Sequence, residues 1–555
     1  MSQLDLVIRN ALIVDGTGSP GRRGSVGISG GAIAAVGDDV GAGAREIDGT
    51  GRVLTPGFID IHTHFDPQLC WDKLATPSLE HGVTTVVIGN CSLSLAPVRG
   101  NGKDKIISMF GVIEDIKKQT FDAAVPFDWE SFPEYMDAIR PGLGINVGAL
   151  IGHSALRMYV MGDASQERVA TPEEIGQMCD LVRASMTAGA LGISSSYVDI
   201  DENMKPVPSR YADLDEKIAL AKGMAESGRG VWQVVPYFPD IKEELANIRE
   251  LGEISRAAGI PCSLQPVLSS PTSPLAAEIM SALEEESRKG GRVYGQIMPR
   301  CFDLNMRLSE TSMLLYALPK WKAIMDMPRD QRAARFADDA TRNLLVEEMS
   351  NAQGMSGALP FLVVGDVKSP ENEKYRGRML AEIAQKEQKS LGDVILDLSL
   401  ADDLDTEFRL QNVINADKAS VAQLIDHPLL HFGASDAGAH ITQFCGTGDT
   451  THMLEHFVRE TGRLTLERAV HRMTGEVAKD WGIHDRGTIQ VGMAADLVLF
   501  DMEKLHCDAE SFVDDFPGEA RRYVRRAQGY AAVLVNGEVV LRDGAYTEAR
   551  AGRIV

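Results

Sequence analysis

Residues 56–64 read Pro56-Gly57-Phe58-Ile59-Asp60-Ile61-His62-Thr63-His64, an apolar run of strand length that opens on a Pro-Gly pair and ends on two histidines. Side chains alternate along an extended chain, so His62 and His64 fall on one side of the strand end, spaced as a chelating pair for a zinc-like ion. Downstream, seven more apolar runs alternate with helical patterns, at 84–88, 147–151, 190–194, 231–235, 262–265, 293–297 and 430–434. Alternating βα units predict a parallel sheet, and a total of eight runs, counting 57–61, is the number that closes a (β/α)8 barrel of the TIM type.

Helices are expected where crossovers are needed. Thr171-Pro172-Glu173-Glu174 supplies an N-cap, a proline in the first turn and a capping-box glutamate, and other helices start near Asp213, Asp240 and Pro274. The interval of about 300–428 exceeds what a crossover requires and reads as a helical insertion before strand eight, overhanging the barrel mouth. Both chain ends read as short strands, and Asn536-Gly537 between two apolar runs marks a hairpin, because a type I′ turn needs positive φ at both positions. Gly487-Thr488-Ile489 reads as part of the same β vocabulary. The expected architecture is therefore α/β, with a small β-sandwich from 1–55 and 483–555 and a barrel over 56–482.

Hydrophobic residues make up 44% of the 555 and charged residues 24%, an ordinary globular balance. With 56 Lys+Arg against 79 Asp+Glu the net charge is −23, which repels nucleic acid and anionic lipid at long range. The Arg521, Arg522, Arg525 and Arg526 cluster has helical spacing and reads as a solvated face. Seven cysteines without a CxxC pair suit a reducing cytoplasm. The start lacks the basic region and long apolar run of a signal peptide, and no segment reaches about 18 uninterrupted apolar residues, so no membrane span is expected. A small-molecule substrate fits this profile, and homo-oligomerisation is left open.

Barrel enzymes gather reactive groups after the strands, and here those positions are polar. The second run ends in Gly89-Asn90-Cys91-Ser92, a thiol at the rim that taken alone suits an inert buried cysteine as well as a ligand. The third ends in Gly152-His153-Ser154-Ala155-Leu156-Arg157, offering a histidine and an arginine that suit structural hydrogen bonding equally well. The eighth ends in Ser435-Asp436-Ala437-Gly438-Ala439-His440. A carboxylate there can touch a metal and accept a proton from the attacking water, or it can cap a helix.

These segments, with Gly487-Thr488-Ile489-Gln490-Val491-Gly492-Met493-Ala494-Ala495-Asp496-Leu497-Val498 near the end, resemble the amidohydrolase superfamily. Gly89-Asn90-Cys91 and Gly152-His153-Ser154-Ala155-Leu156-Arg157 narrow the resemblance to its N-acyl-D-amino-acid deacylase (D-aminoacylase-like) family, over nearly the whole chain. The resemblance implies a distorted barrel beside a small β-sandwich, zinc held partly by Cys91, and Asp436 as catalytic acid/base. It also implies two zinc-binding histidines after strands five and six, yet the interval between His153 and His427 contains no histidine. Gln233 and Gln265 stand there instead, and neutral amides are poor zinc ligands.

Two readings follow. In one, a single divalent ion, zinc before others, is bound by His62, His64 and Asp436 with Cys91 or His153 completing the shell. In the other, metal binding is degraded and the barrel is a catalytically silent small-molecule binder. The first is preferred because the histidine pair, Cys91 and Asp436 come from three separate strands. The family's His-Pro-Arg motif for the substrate carboxylate is also missing; Arg157, Arg300 and Arg459 are the candidate replacements, with His153, Gln233, Gln265 and His440 as further substrate contacts. The expected reaction is metal-dependent hydrolysis of a carbon–nitrogen amide bond, probing an N-acyl (D-)amino acid first, with a cyclic amide, lactone or ester as the alternative on the same mechanism.

Overall fold

The computed structural model describes residues 3–269, 275–316, 318–352 and 354–555. Eight parallel strands, β1 (Phe58–Asp60), β2 (Val83–Ile88), β3 (Asn146–Gly152), β4 (Gly192–Ser196), β5 (Val231–Val235), β6 (Cys262–Leu264), β7 (Val293–Ile297) and β8 (Leu430–Phe432), lie side by side in chain order. Each overlaps one of the apolar runs. Helices cover the outside of such a sheet and side chains fill its inside, so its strands are apolar without alternation; every residue of β2, β3 and β5 is buried. The outer edges, β1 and β8, share no ladder. They meet just beyond their ends, where Thr63 bridges Ala437 and the His64 amide donates to the Ala437 carbonyl at 2.7 Å.

The crossover helices begin where their caps predict. In α1 (Pro172–Thr187) Thr171 and Glu174 complete the capping box, and Met178, Val182 and Met186 form the buried stripe at helical spacing. Asp213 caps α2 (Leu214–Ala225) and Asp240 caps α3 (Ile241–Ala258) through side-chain acceptors. Pro274 lies outside the described residues, and α4 runs over Leu275–Arg288.

The chain ends build one continuous nine-stranded sheet, in which Val53–Pro56 pairs with Leu497–Phe500. The sheet curls on itself: Ile33 on an edge strand exchanges backbone hydrogen bonds with Met493 and Gly492, each 2.8 Å. The curled face buries Leu6, Ile8, Val26, Leu54, Leu497, Leu499 and Leu534 as its own core. Asn536 and Gly537 take φ of 46° and 83° at the hairpin tip, the mirror-image turn their identities predict. Gly487-Thr488-Ile489 is not a strand; the Ile489 amide is anchored to the Asp15 carbonyl at 2.9 Å.

The insertion is not purely helical. Phe302–Met306 and Val363–Val364 flank Phe408–Ile414 in an antiparallel three-stranded sheet, and the helices around it bury Trp321, Phe336, Leu345 and Ile395 in a separate core. Phe444, from the loop after β8, belongs to that core, so the insertion grips the mouth of the barrel. The arginine cluster is not a solvated helix face. Arg521 and Arg522 lie on a strand, Ala520–Val524, whose alternation sends them to different partners. Arg521 pairs with Glu310 and with Asp405 of the insertion, Arg522 with Asp515, Arg525 with Glu510, and Arg526 with Glu80.

Asp405 and Glu310 are almost fully buried at this junction. Burial works against the Asp405 charge, but hydrogen bonds from Arg521, Lys368 and Ser309 outweigh it and hold the carboxyl well below the usual range. Removing one partner of a buried ion network costs about 3 kcal/mol, so Arg521→Met is expected to destabilise the protein by that order in calorimetry at pH 7. A carboxyl depressed in the folded state stabilises above its unfolded pKa of about 4 and loses that contribution as pH falls. The gap between wild type and variant should therefore narrow below about pH 4, and a gap that is constant down to pH 3 would exclude the charge network as its cause.

Candidate metal centre

The end of β1 places His62 and His64 side by side, with their Nε2 atoms 3.3 Å apart. Cys91, in the turn after β2, sets its Sγ 3.6 Å from the His62 Nε2 and 3.7 Å from the His64 Nε2. Asp436, beyond β8, brings Oδ1 to 3.0 and 3.7 Å from the same two nitrogens. Zinc takes nitrogen at about 2.0–2.1 Å and sulfur at about 2.3 Å, which for a tetrahedron requires N–N edges of about 3.3 Å and N–S edges of about 3.6 Å. The two nitrogens and the sulfur, all within 4.8 Å of one another, fit three corners of that polyhedron, while Asp436 approaches the nitrogens from outside that group. Asp436 Oδ1 is buried without a hydrogen bond, as expected for an atom aimed at a cation.

Both imidazoles turn Nε2 to the shared space because Nδ1 is occupied behind. His64 Nδ1 faces Glu114 Oε1 at 3.1 Å, out of hydrogen-bond alignment, and His62 Nδ1 faces the Gln233 amide at 3.5 Å. A carboxylate behind the ring is a usual outer partner of a metal-ligating histidine, because it accepts the Nδ1 proton, and Gln233 plays that part for His62 when its amide oxygen, not its nitrogen, is turned to Nδ1. Burial pulls His64 down to about 4 against the attraction of Asp436. Burial likewise drives the Cys91 thiol and the Glu114 carboxyl well above their ordinary values. Burial opposes the Asp436 charge too, but His62 and His64 outweigh it and hold the carboxylate ionised.

Cys91 and Asp436 take left-handed φ of 53° and 54°, which costs a residue with a Cβ of order 1 kcal/mol. The surroundings enforce it. Ser435 Oγ donates to Asp60 Oδ2 at 2.7 Å and accepts from the Ala437 amide at 3.1 Å, while the Gln296 side chain takes the Ala434 amide at 3.0 Å. The following loop is clamped from both sides: the His440 amide donates to the Glu114 carbonyl at 2.6 Å, and Gln443 receives the Met313 amide of the insertion at 2.8 Å.

Several candidate contacts have other tasks. His153 spends Nε2 on Glu216 at 2.8 Å and Nδ1 on Ser195 at 3.0 Å, leaving no lone pair for a metal or substrate. Arg157, fully buried, pairs with the equally buried Glu216 and donates to the Arg168 carbonyl at 2.8 Å. Arg300 donates to Asp449 at 2.6 Å and to the Ser435 carbonyl at 2.8 Å, so it braces the Asp436 loop instead of facing a ligand. Arg459 is held by Glu455 and by the Met502 and Leu505 carbonyls. Gln265 donates to Cys91 Sγ at 3.3 Å, and Gln233, a residue within β5, backs His62; both amides serve the donor set. His440 stays at the mouth, its ring 5.3 Å from that of Phe444 and within reach of the Asp436 charge.

Sequence reading missed Glu114, Asp60 and Asp199. Asp60 does carry a signal, since a carboxylate inside an apolar strand needs a partner. Burial pushes it up to about 7, and Ser435 and the His62 amide are the partners it finds. Glu114 and Asp199 sit in long connections whose path no periodicity reveals.

The profile of the Amidohydrolase family matches residues 45–541. A D-aminoacylase of Alcaligenes xylosoxydans xylosoxydans is 29% identical over 99% of this chain and 97% of its own length. The N-acyl-D-aspartate deacylase of the same organism is 29% identical, over 100% of this chain and 95% of its own. Among solved structures, a D-aminoacylase described for its binuclear metal center, with one-metal activation and second-metal attenuation, superposes with a TM-score of 0.67 at 27% identity over 99% of both chains. With the profile spanning all of the barrel and most of the chain, this chain belongs to the amidohydrolase family.

Proposed function

We propose that this amidohydrolase is a metal-dependent hydrolase of carbon–nitrogen amide bonds, with N-acyl-D-amino acids as its substrate class and one zinc-type ion in its centre. The observation that carries the reading is the convergence of two Nε2 atoms and a thiol within 4.8 Å of one another, with the Asp436 carboxylate 3.0 and 3.7 Å from the two nitrogens, a set of donors suited to a cation. The deacylase names of the similar proteins support the substrate class. Gln233 and Gln265 support a single ion, because amides turned towards His62 and Cys91 add no strong ligand for a second.

An ion here would be held by His62, His64 and Cys91 with Asp436 beside it, keeping a position open, and would supply the Lewis acidity that polarises a carbonyl and acidifies water. The chain's own residues do the rest. Asp436 has 18% of its side chain exposed, whereas the two histidines are sealed, so it is the member of the set that meets substrate. Held as a carboxylate, it accepts the proton of the attacking water and returns it to the leaving nitrogen. Ser435 and Arg300 fix the loop on which it does so, and the closed surroundings keep bulk water from competing.

Asp436→Asn is expected to lower kcat on N-acetyl-D-methionine by roughly 10³-fold with the thermal transition retained, the range for loss of a general base. Activity near the wild-type value would remove the proposed base. Dialysis against a chelator should abolish turnover and added zinc should restore it, while elemental analysis finds close to one ion per chain. Two tightly held ions per chain would defeat the single-ion reading, and turnover unaffected by chelation would defeat metal dependence altogether. Cys91→Ala should lower the bound zinc at a fixed free concentration by at least tenfold, as expected for loss of one thiolate ligand.

A further inference from the structure

A substrate that keeps a carboxylate beside its amide needs a cation to receive it, and Arg157, Arg300 and Arg459 are all engaged elsewhere. Arg210 differs. It lies in the short helical turn Pro208–Tyr211 after β4 and is only half-buried. Its Nη1 donates to the Val198 and Asp199 carbonyls at 3.0 and 3.3 Å, while Nε and Nη2 donate to nothing among the described residues. No carboxylate among those residues comes within ion-pair distance of it. The Tyr237 ring, just after β5, lies 5.5 Å from its guanidinium carbon and holds the plane from one side.

Asp199, three residues past the end of β4, supplies the second half. Ser196 Oγ accepts the Val198 and Asp199 amides at 3.2 and 3.0 Å, which fixes the turn. Asp199 Oδ2 is buried with no hydrogen-bond partner, an arrangement that costs stability unless a ligand completes it. The residue follows the end of β4, on the face of the barrel where His62 and His64 follow β1, Cys91 follows β2 and Asp436 follows β8. All these groups follow strand ends, so they share the C-terminal face of the barrel.

We propose that Arg210 and Asp199 form the subsite for the amino-acid half of the substrate, the free guanidinium edge taking the carboxylate and Asp199 Oδ2 accepting the N–H of the amide. This rests on the N-acyl amino acid reading above. Arginine presents two parallel donors that match a carboxylate, and an acceptor a short distance away matches the adjacent N–H, so the pair orients the scissile bond as well as selecting its neighbour.

The test is calorimetric binding to the zinc-loaded, full-length Asp436→Asn protein, with N-acetyl-D-methionine and its neutral relative N-acetyl-D-methioninamide as probes, and turnover measured separately on the wild type. Adding Arg210→Ala should weaken the carboxylate roughly 10- to 100-fold, the range for a lost charge-assisted hydrogen bond, with less than threefold change for the neutral amide. Arg210→Lys should recover part of the loss, and circular dichroism shows that each variant is folded. Asp199→Ala should weaken both probes to a similar extent. Equal loss of both probes in Arg210→Ala, no loss of the carboxylate, or failure of either probe to bind overturns the subsite. Charge-selective binding without amide turnover by the wild type would defeat the proposed reaction alone; turnover with no dependence on Arg210 would defeat the subsite alone.

Discussion

The first and last strands of the barrel are joined by a small set of polar bonds at the point where the chemistry sits. Ser435 Oγ reaches Asp60 on one side and the His62 carbonyl at 2.9 Å on the other, and the His64 amide meets the Ala437 carbonyl. No ladder pairs β1 with β8, so these bonds close the barrel and position the donor set together. A shift of the seam by one residue would turn His62 and His64 away from Asp436, because neighbouring side chains point in opposite directions. Fold closure and metal geometry are therefore one constraint.

That constraint explains why so many acids are tolerated below the surface. Asp60, Asp66, Glu114 and Asp199 all have carboxyl groups raised by burial, to about 7 for the first two and about 6 for Asp199. A raised pKa lowers the cost of burial by allowing the neutral form, whereas Asp436 stays ionised because two imidazoles face it. The pocket thus separates its carboxyl groups into supports that can hold a proton and one that stays free to accept it. Such separation of neighbouring groups is how one site runs acid and base chemistry at a single pH.

The barrel was legible because a parallel strand covered on both faces must be apolar throughout, and eight such runs leave few alternatives. That His62, His64 and Asp436 fall close together was legible for a related reason: each follows a readable strand, and the strand fixes where its next residue emerges, whereas Cys91 stood out only through the family resemblance. What could not be read was whether a polar side chain already had a partner. Nothing near Arg157 in sequence announces Glu216, which lies on α2, and Arg300 meets Asp449 from beyond β8. Arg521 and its neighbours carried helical spacing, yet their strand assignment follows from pairing with Ser511–Phe516, a contact set by tertiary structure. Glu114, which ends the helix Gly102–Ile113 between β2 and β3, and Asp199, in the turn after β4, were invisible because neither directly follows a barrel strand.

Gln233 and Gln265, standing where the family resemblance implies two histidines, bear on more than ion number. A glutamine behind His62 and another beside Cys91 give each ligand a neutral partner that neither repels a cation nor neutralises the thiolate. On the single-ion reading, two imidazoles, a thiolate and a carboxylate would balance a divalent charge without help and leave little to attract a second ion. These groups come from after the first, second and last strands, the same elements that the seam must hold together. Whatever free energy the ion gains on binding is thereby linked to keeping the barrel shut, since the open form has no site to offer.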